Sequence, residues 1–199
     1  MKNEKYFKIF LIILFFYISG IITTFIHEVG HLVWGYFNDC RDASINVYFN
    51  FHGVMNCNDP NFKSANNVVF ASSGFVSTTF VGMIAFILYR TGYKKNYLIS
   101  LFLFLLSFFS LSSLVYTVPV DSLLLRGDII DVLDAYHINN IFLSAITFMI
   151  FLPLFYFFVK EFPALLKSMK VIKRGEERKS TLIFVIFIAA MVALMLSGF

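Results

Sequence analysis

The residues best suited to chemistry are two histidines and a glutamate near the end of the first long apolar segment. They form an HExxH motif at His27, Glu28 and His31. On a helix, residues four positions apart share a face, so both imidazoles can bind one metal ion. Glu28 lies one step round the helix, where its carboxylate can take a proton from a metal-bound water without being a ligand. Zinc lowers the pKa of such a water from ~15.7 to about 7, so the motif predicts a zinc hydrolase site.

The position of this motif supports the metal interpretation. Residues 9–26 contain no charged side chain, and ionisable groups joined to such a segment are costly unless they serve a function. The alternative is a helix end whose His and Glu side chains face water or lipid headgroups. Because the His and Glu frequencies of this chain give a chance match of roughly a few in a thousand, we prefer the metal site.

The composition is that of a polytopic membrane protein. Of 199 residues, 59% are hydrophobic, 14% are charged and 27 are Phe, and the mean hydropathy is +0.78. The length suits one membrane-embedded domain over residues 1–199, with no room for a second sizeable domain. We therefore expect an all-α polytopic fold of about five transmembrane helices, with a short β-strand or hairpin in the first loop.

Five apolar segments are long enough to cross a bilayer. They cover about residues 9–34, 68–89, 97–118, 139–159 and 181–199. The first follows a charged N-terminus like that of a signal peptide, but it is long, lacks a small-residue cleavage site and leads directly into the HExxH motif. We therefore expect it to persist as the first membrane helix.

The basic residues predict the orientation in the membrane. With five helices and a cytoplasmic N-terminus, thirteen of the sixteen Lys and Arg residues lie inside and three lie outside, as the positive-inside rule favours. The net charge of +4 therefore reflects membrane topology and not nucleic-acid binding. His27 then lies about 28 Å along the first helix from Lys8, near the outer edge of a ~30 Å core, so the site is predicted to face the non-cytoplasmic side.

The first loop alternates between apolar and polar residues. Ile45, Val47, Phe49 and Phe51 share one face, and the other carries Ser44, Asn46, Tyr48, Asn50 and His52. This alternation predicts a half-buried strand, and Gly53 with the apolar residues after it predicts a short hairpin. The strand over 45–51 could take an unwound peptide by strand addition, with Asn46, Tyr48 and Asn50 as substrate-binding candidates.

Two cysteines, Cys40 and Cys57, bracket this strand. On an oxidising outer face they could pair and clamp the hairpin, and otherwise they are two free thiols. The sequence leaves both possibilities open.

Small residues in the second apolar segment form a stripe at Gly74, Thr78 and Gly82. Such a stripe lets another helix approach closely, and the alternative is substrate contact or support of the metal site.

The fourth loop combines an apolar face with lysines on the opposite face. The apolar positions are Phe162, Leu165, Leu166 and Met169. This pattern predicts an interfacial helix on an anionic cytoplasmic leaflet.

A catalytic zinc requires a third protein ligand besides the two histidines. The metzincin pattern is excluded because it needs His at position 37 and Gly at position 34, which are Phe37 and Trp34. Three glutamates fall in a loop predicted on the opposite side of the membrane: Glu161, Glu176 and Glu177. The third loop, on the same side as the histidines, offers Asp121, Asp128, Asp131 and Asp134.

With these features the chain resembles the site-two protease family, which are intramembrane zinc metalloproteases. The family's second motif is Asp-Gly near the start of a helix, with a Leu five residues on. Here Asp128 and Leu133 match, whereas Ile129 replaces the usual Gly. The nearby Asn-Pro element is missing, although Pro119 precedes the segment, and the small-residue patch lacks the usual Gly-Pro. The resemblance covers roughly residues 20–135 and is that of a divergent member.

The resemblance implies that Asp128 is the third ligand, with Asp131 as the alternative. Asp128 could instead cap the helix that follows, and capping and ligation compete for the same carboxylate. His137 either donates to a tetrahedral oxyanion or lies at the membrane interface, and we favour the interface. Members of this family generally present their metal towards the cytoplasm, so the charge-based orientation departs from their pattern.

The predicted function is that of a zinc metalloendopeptidase, with one Zn²⁺ held by His27, His31 and Asp128. Glu28 would deprotonate the water and pass the proton to the leaving amine. The expected partners are the lipid bilayer and a membrane-protein or peptide substrate, which must unwind before cleavage.

Two other functions are possible. A non-enzymatic membrane protein that binds or transports metal is disfavoured because spans two to five contain no acidic residue. An inactive homologue that binds membrane partners is disfavoured by the intact Glu28. The oligomeric state, the substrate and its cleavage site are left open.

Overall fold

The structure is a computed structural model that describes residues 2–59, 62, 68–91, 96–112, 118–124, 128–172 and 175–197. These residues form helices and one hairpin, in the order α1 (Lys2–Phe37), β1 (Ala43–Val47), β2 (Gly53–Cys57), α2 (Val68–Thr91), α3 (Tyr97–Ser112), α4 (Val118–Leu124), α5 (Ile129–Tyr136), α6 (Asn140–Ser168) and α7 (Glu177–Ser197). The predicted fold class, a mostly helical membrane protein with a hairpin early in the chain, is confirmed.

Three helices in the described part of the chain are long and apolar enough to cross a membrane. They are Tyr6–Phe37, Val68–Thr91 and Asn140–Ser168. The third predicted span corresponds to the apolar helix α3, which the structure describes over 16 residues, and α7 lies where the fifth was expected. The membrane location is therefore supported, whereas the number of five crossings stays a prediction.

Aromatic rings from three helices form the centre of the bundle, here called the aromatic core. Phe104 of α3, Phe158 of α6 and Phe184 of α7 are each almost completely buried. The Phe104 and Phe158 ring centroids lie 5.3 Å apart, and Phe162 stacks on Phe184 at 4.1 Å. Edge and stacked contacts of this kind add to dispersion, which holds helices together where lipid is as apolar as the side chains.

The prediction of an interfacial helix in the fourth loop is wrong. The four apolar residues concerned, Phe162, Leu165, Leu166 and Met169, are buried in the aromatic core. The first three belong to the last turns of α6, which continues past residue 159. An apolar stripe at helical spacing fits lipid or neighbouring helices equally well, and here α3 and α7 cover it.

The hairpin pairs β1 with β2 in antiparallel register, from Ala43 opposite Cys57 to Val47 opposite Gly53. The strand is shorter than the alternation predicted, because the chain turns after Val47. Phe51 adopts a left-handed conformation with φ 65°, which reverses the chain direction. Phe49 is consequently 86% exposed and does not share the half-buried face of Val47.

The hairpin lies lengthwise against α1. At one end a disulfide joins Cys40, just beyond α1, to Cys57 of β2. At the other end Tyr17 Oη donates a hydrogen bond to the carbonyl of Phe49 at 3.0 Å, and Thr24 Oγ1 donates to the carbonyl of Phe51 at 3.1 Å. The hairpin therefore runs beside the stretch of α1 that carries the HExxH motif.

Candidate metal centre

Helix α1 presents two imidazoles on one face. His27 and His31 are four residues apart, and their Nε2 atoms lie 3.1 Å from each other. His31 is 4% exposed and His27 is half-buried. The helical geometry predicted from the spacing therefore brings the two nitrogen atoms to one point.

The third residue at this point is Asp128, which directly precedes α5. Its Oδ2 atom lies 3.0 Å from Nε2 of His27 and 3.0 Å from Nε2 of His31. Asp128 occupies the N-cap position of α5, but its side chain makes no capping hydrogen bond. The carboxylate of Asp128 therefore contacts the two histidines and does not cap α5.

The protonation of Asp128 suits a cationic partner. Burial raises the pKa of its carboxyl, and the interactions with His27 and His31 lower it by more, so the pKa lies well below its ordinary value. The carboxylate is therefore ionised at neutral pH.

The tautomer of His31 is set by its second ring nitrogen. Nδ1 lies 2.9 Å from the carbonyl oxygen of Phe70, which can only accept, so Nδ1 carries the proton and donates it. Ser73 Oγ also donates to this carbonyl at 2.6 Å and lies 3.2 Å from Nδ1. The Nε2 atom of His31 is therefore the ring nitrogen left to face Asp128 and a metal ion, as in metal-binding histidines whose other nitrogen donates.

The three converging atoms fit a zinc ion. With metal–ligand bonds of about 2.0–2.1 Å, the ligand atoms of tetrahedral zinc lie roughly 3.3 Å apart, close to the 3.0, 3.0 and 3.1 Å seen here. Among the described residues, His27, His31 and Asp128 form the group of potential ligands that meets in this way. Two imidazoles and a carboxylate also match the donor atoms that zinc takes in hydrolytic sites, with one position left for water.

Glycines allow α1 and α2 to meet closely at this site. A Cβ on Gly74 would lie 2.5 Å from Nε2 of His27, and one on Gly30 would lie 2.5 Å from the carbonyl oxygen of Ser73. Further along the stripe, a Cβ on Gly82 would lie 2.9 Å from Ser110 and Leu111 of α3. The two interpretations of the stripe thus hold at different positions, since Gly74 supports the metal site and Gly82 serves helix packing.

Glu28 lies beside the three converging residues without joining them. It is 6% exposed, and the hairpin covers it through Gly53. A carboxylate buried next to a potential metal site is a candidate for a general base.

The other candidate residues lie away from the centre. Asp131 is exposed on α5, and His137 is exposed at the C-cap of that helix with φ 51°. Asn46 is exposed on β1, Tyr48 stacks on His52 in the turn with centroids 5.9 Å apart, and Asn50 is exposed in the same turn.

Sequence reasoning missed the residues that support the ligands. The carbonyl of Phe70 and the hydroxyl of Ser73 orient His31, and Gly30 makes room for the backbone of Ser73. The available signal was the run of small polar residues in an otherwise apolar segment, but it does not indicate which of them faces the histidines.

The family model described as Peptidase M50B-like matches residues 7–197. The match extends over nearly the whole chain, and the chain belongs to the Peptidase M50B-like family, a site-two protease family. Neither the curated proteins nor the solved structures contain a match to this chain. The resemblance found over residues 20–135 is thereby confirmed, and the membership supports a protease-related role.

Proposed function

We propose that this protein is an intramembrane zinc metalloprotease that hydrolyses peptide bonds in or near the membrane-spanning segments of other proteins. The observation that carries the proposal is the convergence of His27, His31 and Asp128 within about one zinc coordination sphere, next to the buried Glu28. Membership in a peptidase family supports peptide hydrolysis over metal storage or transport.

The proposed mechanism assigns separate tasks to these side chains. His27, His31 and Asp128 would hold zinc, which when bound polarises the scissile carbonyl and acidifies a water molecule. Glu28 takes the proton from the attacking water and delivers it to the leaving amine. The hairpin and α1 bury Glu28, which keeps bulk water from competing for its proton.

The hairpin offers one strand edge for a substrate. Backbone hydrogen bonds join Tyr48 to His52 and Asp42 to Asn58. Because these pairs alternate along an antiparallel ladder, the backbone N–H and C=O groups of Ser44 and Asn46 point towards β2. The backbone groups of Ala43, Ile45 and Val47 then face away from β2, and no hydrogen bond between described residues engages them. A peptide can add to this edge as a third strand.

A peptide on the β1 edge lies about two strand spacings, roughly 10 Å, from β2, the strand whose Gly53 lies against Glu28. About three extended residues span this distance. We therefore propose that β1 docks a segment flanking the scissile bond and not the bond itself.

Two proline variants test docking on this edge. Ile45→Pro removes an outward N–H and should raise KM about tenfold while the hairpin stays formed. Asn46→Pro removes an N–H that pairs with β2, so it should disrupt the hairpin itself. An unchanged KM for Ile45→Pro would contradict docking of the substrate on the edge of β1.

We also propose that the N-terminus is cytoplasmic and that the metal centre faces the opposite side. The disulfide beside the centre is typical of an oxidising compartment. Away from the centre, Lys8 near the start of α1 pairs with Glu4 at 2.6 Å, and Arg90 at the end of α2 pairs with Glu161 at 3.7 Å. A membrane-impermeant thiol reagent on intact cells should label a cysteine introduced at Ser44 but not one at Gly175. Labelling at Gly175 but not at Ser44 would show that the orientation is the opposite of the one proposed.

Metal removal tests the proposed activity. The purified protein in detergent should cleave an unfolded membrane-peptide substrate, lose that activity after chelation and dialysis, and regain it with stoichiometric zinc. Zinc binding without cleavage of a panel of such peptides would favour the metal-binding or inactive-homologue alternatives. Cleavage that persists without metal would contradict the assignment.

A further inference from the structure

We propose that the second strand of the hairpin positions the general base, and that Gly53 is the positioning residue because its lack of a side chain lets β2 lie directly against Glu28. The role of Glu28 as a base rests on the proposed function, whereas the contact between Gly53 and Glu28 is a property of the fold.

Space, and not backbone conformation, is what requires glycine at position 53. A Cβ there would lie 2.7 Å from both Cγ and Oε1 of Glu28, and 2.7 Å from Cγ2 of Thr24. Gly53 is absent from the described residues with positive φ, so another residue could adopt its backbone angles. Because Glu28 is 6% exposed and α1 is a continuous helix, an added methyl group must displace either the carboxylate or the strand.

The ladder leaves the backbone of Gly53 outside the pairing between the two strands. The ladder alternation that turns Ile45 outward on β1 also turns the backbone of Gly53 and Met55 outward on β2. One face of Glu28 is therefore bounded by Gly53, whose own N–H and C=O groups do not pair with β1.

The hairpin can position Glu28 because both of its ends are fixed to α1. The disulfide between Cys40 and Cys57 ties down the open end, and the hydrogen bonds from Tyr17 and Thr24 tie down the turn. Gly53 lies between these attachments. A displacement of β2 is therefore resisted on both sides, and a larger side chain at position 53 acts mainly on Glu28.

Thr24→Ser provides a background in which Glu28 is the principal obstacle. This change removes the methyl group that a Cβ on residue 53 would also meet, and it keeps the hydroxyl that donates to Phe51. Gly35→Ala is a matched control on the same interface. A Cβ on Gly35 would meet Cε of Met55 at 2.8 Å, which is the mobile end of a flexible side chain, so this change should be tolerated.

The first measurement is a stability cycle in the Thr24→Ser background, with zinc-loaded protein in detergent. Gly53→Ala should lower the unfolding midpoint by roughly 4 °C or more when Glu28 is present. In the Glu28→Ala variant, which leaves this space empty, Gly53→Ala should lower the unfolding midpoint by less than about half as much. A variant that folds only when residue 28 is Ala also supports the contact. An equal loss in both backgrounds, or failure to fold in both, would overturn it.

The second measurement separates positioning from structure. Gly53→Ala should lower kcat by about ten- to a hundredfold, as a misplacement of about 1 Å does, with KM and zinc per chain unchanged. Gly35→Ala should leave kcat near that of the wild type. A rise in KM at constant kcat, or equal effects of the two variants, would contradict a positioning role. If the wild type proves inactive, the proposed function fails, while the stability cycle still decides the contact.

Discussion

The aromatic core and the metal centre are built on opposite principles within one helical bundle. The core fills the space between α3, α6 and α7 with rings such as Phe104, Phe158 and Phe184. At the metal centre the helices approach because side chains are missing, as at Gly30 and Gly74. Large side chains give the core stability through many weak contacts, whereas glycines bring backbone groups close enough to orient the ligands.

This contrast predicts that small changes at the centre affect the metal and that large changes in the core affect only stability. The largest effect is expected for Asp128→Asn, which removes an anionic ligand. Zinc affinity should fall by more than the ~10–100-fold that the loss of a supporting partner costs, and peptide cleavage should disappear.

Asp131→Asn is the control for this change, since Asp131 lies one turn further along the same helix and is exposed. It should leave zinc content and cleavage unchanged when both variants are measured by metal analysis after gel filtration. Equal loss of zinc in the two variants would remove the distinction between the aspartates.

A smaller effect is expected for added methyl groups on α2. Gly74→Ala should displace the ring of His27 and lower zinc affinity by about 10–100-fold. Gly82→Ala lies two turns along the same stripe and meets α3 instead, so it should lower the unfolding midpoint without changing zinc affinity. Competition with a chromogenic chelator measures both affinities. Loss of zinc binding in both variants would show that the stripe acts as one unit.

The smallest effect on the metal is expected from the aromatic core. Phe158→Ala should destabilise the protein by about 3 kcal/mol, because it leaves a cavity among the rings. Zinc per chain in the folded fraction should stay as in the wild type. A reduced zinc content in that fraction would show that the two regions are coupled.

The sequence predicts the parts of this protein that depend on local spacing. The pair His27 and His31 is set by helical periodicity, and the hairpin is set by alternation followed by glycine. The end of β1 could not be predicted, because the left-handed residue Phe51 has no local signal in its side chain. The burial of the last turns of α6 could not be predicted either, because periodicity identifies an apolar face but not what covers it.

Contacts between distant parts of the chain account for the rest. Asp128 lies 101 positions from His27. The order of the loops predicts that Asp128 is on the same side of the membrane as the histidines, but it predicts the same for Asp131. The roles of Ser73 and Gly53 depend on how α2 and the hairpin pack on α1, and no spacing within their own segments indicates it.

The central claim is that Glu28 is the base of a zinc peptidase, and Glu28→Gln tests it most directly. The substitution keeps the size of the side chain and removes its capacity to take a proton. The measurement compares zinc per chain and peptide cleavage for the wild type and this variant, purified together in detergent. We predict equal zinc in both and at least a ~100-fold loss of cleavage in the variant. Cleavage by Glu28→Gln at the wild-type rate, or a wild type that binds no zinc, would contradict the account.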